Sequence, residues 1–396
     1  MQIIDRDRAL SIPPLWRMGF RPFFLGGTFF AVLAIALWLT ALNGITTNPV
    51  PVGGWLAWHR HEMFFGFGAA IVSGFLLTAV QNWTGQPGLS GRHLAALAGL
   101  WVAGRLAWAG GAPVVLLLPL ELAFLPTVAA IVAWQLWRVR QWRNYPVVAV
   151  LGLMAVADAL VTVGALRGDA ELQRRGGLAA AWVIVTLLGL IGGRVIPFFT
   201  RRGLALKGTP EDLRWVDWLA MGGGLFMIFL TLSGWSDHPQ AALTVLCGSL
   251  ALAHLFRVIY WYDHGIWKVP LLWSLHLAYA WLVVSLAGLA LWHGGLIATL
   301  GLPLHALTVG AMGGAILAMV ARVSLGHTGR ELRPPAAMGM AFALLNVAAL
   351  GRVGVAAMWP KVGLLLAGAC WIAAFGLFCG CYAPMLLRPR ADGNPG

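Results

Sequence analysis

Apolar residues run through this chain in long stretches, broken by short polar connections. An α-helix needs about 20 such residues to cross a hydrocarbon core. Marking the runs by that rule predicts twelve spans, at roughly 23–42, 58–80, 94–110, 114–137, 147–166, 178–199, 215–234, 241–262, 270–292, 302–324, 336–359 and 362–384. The expected fold class is all-α, a polytopic membrane helix bundle of about twelve transmembrane helices. The connections are too short to fold separately, so 1–396 reads as a single integral membrane domain. It divides into an N-terminal segment (1–22), the bundle (23–384) and a tail (385–396). No cleavable signal-peptide pattern precedes the first run, which is expected to stay as an anchor.

Composition narrows the function classes. Hydrophobic residues make up 60% of the chain and charged residues 10%. A soluble domain carries about 25% charged residues, so a soluble enzyme, a disordered chain and a nucleic-acid-binding protein are all excluded. The net charge of +13 does not bring nucleic acid back, because Lys and Arg flank the apolar runs, as topology signals do. Connections on the N-terminal side hold most of the 27 basic residues, while the opposite connections hold only Arg167, Arg174, Arg175 and Lys361. An even number of crossings is expected, with both termini cytoplasmic and membrane lipid as the surrounding partner. Cys247, Cys370, Cys379 and Cys381 lie inside apolar runs and read as small buried hydrophobes. No CxxCH occurs, which excludes covalently attached haem.

Ionisable side chains inside spans are costly and usually face the protein interior. By position along the runs they form two layers. The outer layer holds His59, Arg60, His61, Glu62, Arg105, Glu121, His305 and Arg352. The inner layer holds Arg194, His254, Arg257, His276 and Arg322, with His327 just beyond the tenth run and Asp158 near mid-depth. Six histidines in these layers (His59, His61, His254, His276, His305, His327) favour metal ligation over purely structural or proton-relay roles. His93, His238, His264 and His293 fall in connections and read as solvated.

Spacing leaves several arrangements open. His59 and His61 diverge by about 200° on a helix, so they serve two centres, or one is a ligand and the other a strut, or an unwound first turn brings both to one ion. His254 and Arg257 share a face. That pairing suits an axial imidazole beside a haem propionate, or an Arg257 that snorkels to the interface. His276 lies at a depth comparable to His254, which allows a bis-imidazole haem. Tyr279 shares the face of His276, for packing or a hydrogen bond. His305, Met312 and Met319 recur every seven residues as one stripe, for Cu(I), haem iron or core packing. Gly192-Gly-Arg-Val-Ile-Pro197 combines close packing, a buried cation at Arg194 and a proline kink.

Several collinear motifs carry a family resemblance. They are Trp16-Arg-Met-Gly-Phe-Arg-Pro-Phe-Phe24, Trp58-His-Arg-His-Glu-Met63 with Phe65-Gly-Phe67, and Gly192-Gly-Arg-Val-Ile-Pro-Phe-Phe199. His305-Ala-Leu-Thr-Val-Gly-Ala-Met-Gly313 and Arg322 followed by Gly326-His-Thr-Gly329 complete the set. With these the chain resembles the NnrS family across nearly its whole length. The resemblance implies a bacterial inner-membrane protein containing haem and copper, with a role in nitric oxide metabolism during denitrification or nitrosative stress.

The site residues are assigned from the sequence itself. His59, His61, His254, His276, His305 and His327 are expected metal ligands. His254, His276, Arg194, Arg257 and Arg322 are expected to hold a b-type haem. Reduction of two NO to N2O consumes two electrons and two protons, and Glu62 and Glu121 with the outer arginines are the expected proton route. Nitric oxide is the expected ligand or substrate, and no motif names an electron donor. The alternatives are a membrane transporter with a histidine-rich polar path, or a non-catalytic NO sensor or scavenger.

Overall fold

The computed structural model describes residues 6–45, 49–207 and 213–396, so the expected N-terminal segment lies partly outside the described residues. Those residues form helices and no strand. Among the described residues, eleven helices are long and apolar enough to cross a membrane: Phe20–Leu42, Gly54–Thr84, Val114–Arg138, Trp142–Arg167, Ala170–Gly203, Arg214–Leu232, Ala241–Trp261, Pro270–His293, Gly301–His327, Ala336–Met358 and Pro360–Leu387. The chain is therefore a multi-pass membrane protein.

A twelfth helix, Gly91–Ala109, fills the remaining expected position as the third span. Its 19 residues equal the length of Arg214–Leu232, but Arg92, His93 and Arg105 dilute its apolar character. A contact between the first and last spans supports its crossing. The buried Arg21, at the start of the first span, donates to the carbonyls of Leu386 (2.7 Å), Arg388 (2.8 Å) and Gly396 (3.0 Å). The start of the first span and the stretch after the last one thus meet on one side. Twelve crossings allow that and eleven do not.

The chain divides into two compact units, interleaved in sequence. The first comprises Met1–Ala180, Val320–Arg333 and Phe375–Gly396; the second comprises Ala181–Met319 and Pro334–Ala374. Aromatic side chains fill the first core: Phe20 packs on Phe24, Phe23 on Trp101 and Phe124, and Phe67 on Phe375. In the second, the spans Ala241–Trp261 and Pro270–His293 pack along their length, with Leu250, Leu275, Leu282 and Leu286 buried.

Four spans carry π-helical stretches, at Glu62–Gly68, Leu188–Gly192, Ala306–Gly313 and Gly351–Val355. A π turn bonds i to i+5, shifts the residues beyond it around the helix, and tends to occur at functional sites. Side chains reach the backbone inside two of these stretches. Trp101 Nε1 donates to the Gly66 carbonyl at 2.9 Å, and Arg257 donates to the Gly189 carbonyl at 2.9 Å. No water is available in hydrocarbon to meet such groups, so these two contacts stabilise the distorted turns where they occur.

Candidate functional site

In the first unit, four consecutive spans bring ionisable groups together. Gly54–His61 is a regular α-helical lead-in, so the first turn is not unwound, and the π stretch opens at Glu62. His61 and His59 point to different surroundings. The half-buried His59 lies flat on Trp38, with centroids 4.5 Å apart. The fully buried His61 lies flat on Trp108, with centroids 3.8 Å apart. The arrangement with both imidazoles on one ion is therefore not formed.

The second to fifth spans each give His61 or its partners a charged group. His61 Nε2 is 2.9 Å from Asp158 Oδ1 and 3.4 Å from Glu121 Oε1, and Nδ1 is 3.3 Å from Glu62 Oε1. Arg105 makes an ion pair with Glu62 at 3.2 Å and donates from Nη2 to both oxygens of Glu121. Thr162 donates to Asp158 Oδ1 at 3.3 Å. All five ionisable groups are buried. Of the expected outer layer, this cluster unites His61, Glu62, Glu121 and Arg105. Asp158, which the sequence placed at mid-depth without a partner, completes it. Among the described residues, His61, Glu121 and Asp158 are the one group of three or more His, Cys, Asp or Glu side chains whose ligand atoms all lie within 4.8 Å of one another.

The second unit has a different polar centre. His254 is fully buried, and its Nδ1 is 2.7 Å from Tyr279 Oη. Arg257 donates to the same Oη at 2.9 Å and to the Gly189 carbonyl, and pairs with Asp217, whose side chain is half exposed. His254 Nε2 is buried and has no hydrogen-bond partner. Glycines make this centre possible. A Cβ at Gly189 would lie 3.3 Å from His254 Cε1, one at Gly192 would press on the Tyr279 ring at 2.9 Å, and one at Gly193 would lie 3.3 Å from the Arg257 guanidinium.

Several expectations are corrected here. Arg257 does not snorkel: it is buried, Nη1 donates to Gly189 and Tyr279, Nη2 pairs with Asp217, and only Nε lacks a hydrogen-bond partner. The cation packed against Gly193 is Arg257, Gly192 faces the Tyr279 ring, and Arg194 is exposed. Arg322 is buried but belongs to the first unit. His276 uses Nε2 on Thr200 Oγ1 at 2.9 Å. The Thr200 hydroxyl already donates to the Ile196 carbonyl at 2.8 Å, so His276 is the donor. His276 is thus a strut between two spans, and the bis-imidazole arrangement with His254 is not formed.

The remaining histidines stand apart. His305 Nδ1 donates to the Gly301 carbonyl at 2.6 Å, so its Nε2 carries the ring's lone pair when the imidazole is neutral. The π stretch Ala306–Gly313 intervenes between His305 and Met319 and breaks their seven-residue register. His327 ends the tenth span and packs against Phe20, at 5.4 Å between centroids. His93, His238 and His264 are exposed as expected, but His293 is buried at the end of its helix.

A family model described as NnrS protein matches residues 14–390. No curated protein matches the chain.

Proposed function

The chain belongs to the NnrS family, and from that premise we propose that it is a haem-binding inner-membrane protein that takes up nitric oxide, with the second unit as the haem-bearing part. The observation that carries this reading is His254 Nε2, a buried imidazole nitrogen that bonds nothing in the protein. An unpaired polar atom in a dry interior costs about 1–3 kcal/mol. Ligation of haem iron is one way for an imidazole nitrogen to recover that cost. The donor chemistry fits the group: Nε2 is an unpaired nitrogen, the opposite ring nitrogen is oriented by Tyr279, and Gly189 keeps any side chain away from Nε2.

When bound, ferrous haem supplies an iron that coordinates NO. The chain's own residues orient His254, exclude water and hold hydrogens. Tyr279 Oη accepts from Arg257 and faces His254 Nδ1, so a hydrogen is shared at that atom. Asp217 reaches from its half-exposed position to Arg257 and joins this buried centre to the surface. Copper, the second cofactor implied by the resemblance, is in its reduced form not matched by the one gathered group of three or more His, Cys, Asp or Glu side chains among the described residues. Cu(I) favours thiolate, thioether and imidazole donors, and the one gathered ligand set offers a single imidazole with two carboxylates.

The test is optical. The purified protein, reduced with dithionite, should show b-type haem bands that shift on anaerobic addition of NO, and His254→Ala should lose them. NO consumption with an added reductant separates turnover from binding. A folded, colourless protein that does not take up added haem rules the reading out.

A further inference from the structure

We infer that His61, Glu121 and Asp158 bind one divalent metal ion in the first unit, with Glu62 and Arg105 as outer partners. This site is independent of the haem reading at His254.

Charge is the first reason. Three buried carboxylates, Glu62, Glu121 and Asp158, face one guanidinium, Arg105. With a neutral imidazole two negative charges, and with an imidazolium one, are left uncompensated inside membrane-spanning helices. Such a state is very costly in a low-dielectric interior, and a divalent cation cancels it.

The hydrogen inventory of His61 is the second reason. Both ring nitrogens face carboxylate oxygens: Nδ1 faces Glu62, and Nε2 faces Asp158 and Glu121. An imidazolium gives an N–H to each side, whereas a neutral imidazole has one N–H to give. In the neutral form, if Nδ1–H donates to Glu62, the Nε2 lone pair points at two oxygen lone pairs, which repel it. A metal ion among the three atoms turns that repulsion into ligation. The result is a carboxylate–histidine–metal arrangement in which Glu62 fixes the tautomer and the ring direction. Trp108, stacked on the ring at 3.8 Å and 14°, holds its plane.

Distance is the third reason. Metal bonds of about 2.0–2.2 Å to nitrogen and oxygen place neighbouring ligand atoms about 3.0–3.4 Å apart. Nε2 already lies 2.9 Å from Asp158 Oδ1 and 3.4 Å from Glu121 Oε1. A further buried atom lacks a hydrogen bond here: Glu62 Oε2 accepts none, although it sits at ion-pair distance from Arg105. One imidazole with two carboxylates is a harder set than Cu(I) selects and suits Mn2+, Fe2+ or Zn2+.

The experiment uses the full chain in detergent, stripped with a chelator and titrated with Mn2+ alone, read by electron paramagnetic resonance. The wild type should take up one Mn2+ per chain, displaceable by Zn2+. Asp158→Asn and Glu121→Gln should each weaken uptake more than ten-fold. Glu62→Gln should keep the stoichiometry and weaken affinity about 10–100-fold. His254→Ala should leave Mn2+ binding unchanged, so failure here and failure of the haem reading give different results. A folded, monodisperse wild type that takes up no Mn2+ overturns the inference without recourse to any variant. Uptake unaffected by all three substitutions, or uptake of Cu+ but of neither Mn2+ nor Zn2+, also overturns it.

Discussion

Tyr279 Oη lies 2.7 Å from His254 Nδ1, and the same oxygen accepts from Arg257 at 2.9 Å. A guanidinium only donates, and a hydroxyl has one hydrogen and two acceptor sites, so Tyr279 can give its hydrogen to Nδ1 or accept a second one from it. A metal at Nε2 selects the latter: Nδ1 becomes the donor and Tyr279 the acceptor. Tyr279 is therefore a positioning residue. Tyr279→Phe should weaken haem binding by about 10–100-fold, the usual effect of losing such an outer partner. Haem titration of stripped protein, followed by absorbance, measures it. Undiminished affinity would remove Tyr279 from this role.

Gly189 is the position where one added carbon should matter most. A methyl group there would sit 3.3 Å from His254 Cε1 and 3.8 Å from Nε2, in the space a ligand to Nε2 has to enter. Gly189→Ala should lower haem occupancy, with a smaller change in thermal stability because alanine's helix preference offsets part of the crowding against His254. Gly152→Ala, where a Cβ meets nothing within 4 Å, is the matched control.

Arg105 should dominate the stability of the first unit. Arg105→Met strips the guanidinium from Glu62 and Glu121 and leaves buried carboxylates without it. Breaking a buried pair from one side costs about 3–5 kcal/mol. By contrast, Arg174 and Arg175 pair with an exposed Glu171. Removing such a surface partner with Glu171→Gln should cost less than about 1 kcal/mol. Thermal unfolding in detergent compares the two. Equal losses would contradict a charged interior cluster.

Hydropathy alone located the spans, because burial in lipid demands apolar residues whatever a helix's neighbours are. It also identified His61, Glu62, Arg105, Glu121 and His254 as interior groups. It could not pair them. Asp158 became a partner of His61 only once the second and fifth spans were adjacent. The glycine pair at 192–193 was legible as close packing, but the cation packed against Gly193 comes from Arg257, two spans away, and not from Arg194 beside it. Helical periodicity failed where π stretches shift the register, as between His305 and Met319. A signal for these places was present in the clustered glycines Gly66, Gly189 and Gly192.

The stretch after the last span is fastened to the end of the tenth. Arg390 donates to the His327 carbonyl and holds both oxygens of Asp392 (2.9 and 2.6 Å), and Ala391 N donates to the Thr328 carbonyl. Hydrogen bonds from Arg390, then Asn394, hold the Asp392 carboxyl well below the usual carboxylate range. A depressed folded value contributes stability that is complete above the unfolded value of about 3.9 and is lost only as pH falls through the lower folded one. Hydrogen exchange of residues 388–394 should therefore be equally protected at pH 5 and pH 8 after correction for intrinsic rates. Asp392→Asn should raise exchange at both. A drop in protection between pH 8 and pH 5 would show that Asp392 is not held low.

Twelve crossings are also open to direct measurement. Arg21 meets the carbonyls of Leu386, Arg388 and Gly396, so both ends of the bundle lie on one side. That parity requires Gly91–Ala109 to cross despite its two arginines. It can do so because Arg105 is buried against Glu121 rather than turned to lipid. Cysteine labels at residues 88 and 111, introduced into a cysteine-free background, should react from opposite sides of intact vesicles. Labels at residues 10 and 394 should react from the same side. Same-side labelling at 88 and 111 would reduce the count to eleven and set it against the Arg21 contacts. Arg21→Met removes those contacts and should cost about 1.5–3 kcal/mol, leaving the labelling pattern unchanged, because Lys and Arg outside the spans still set the orientation.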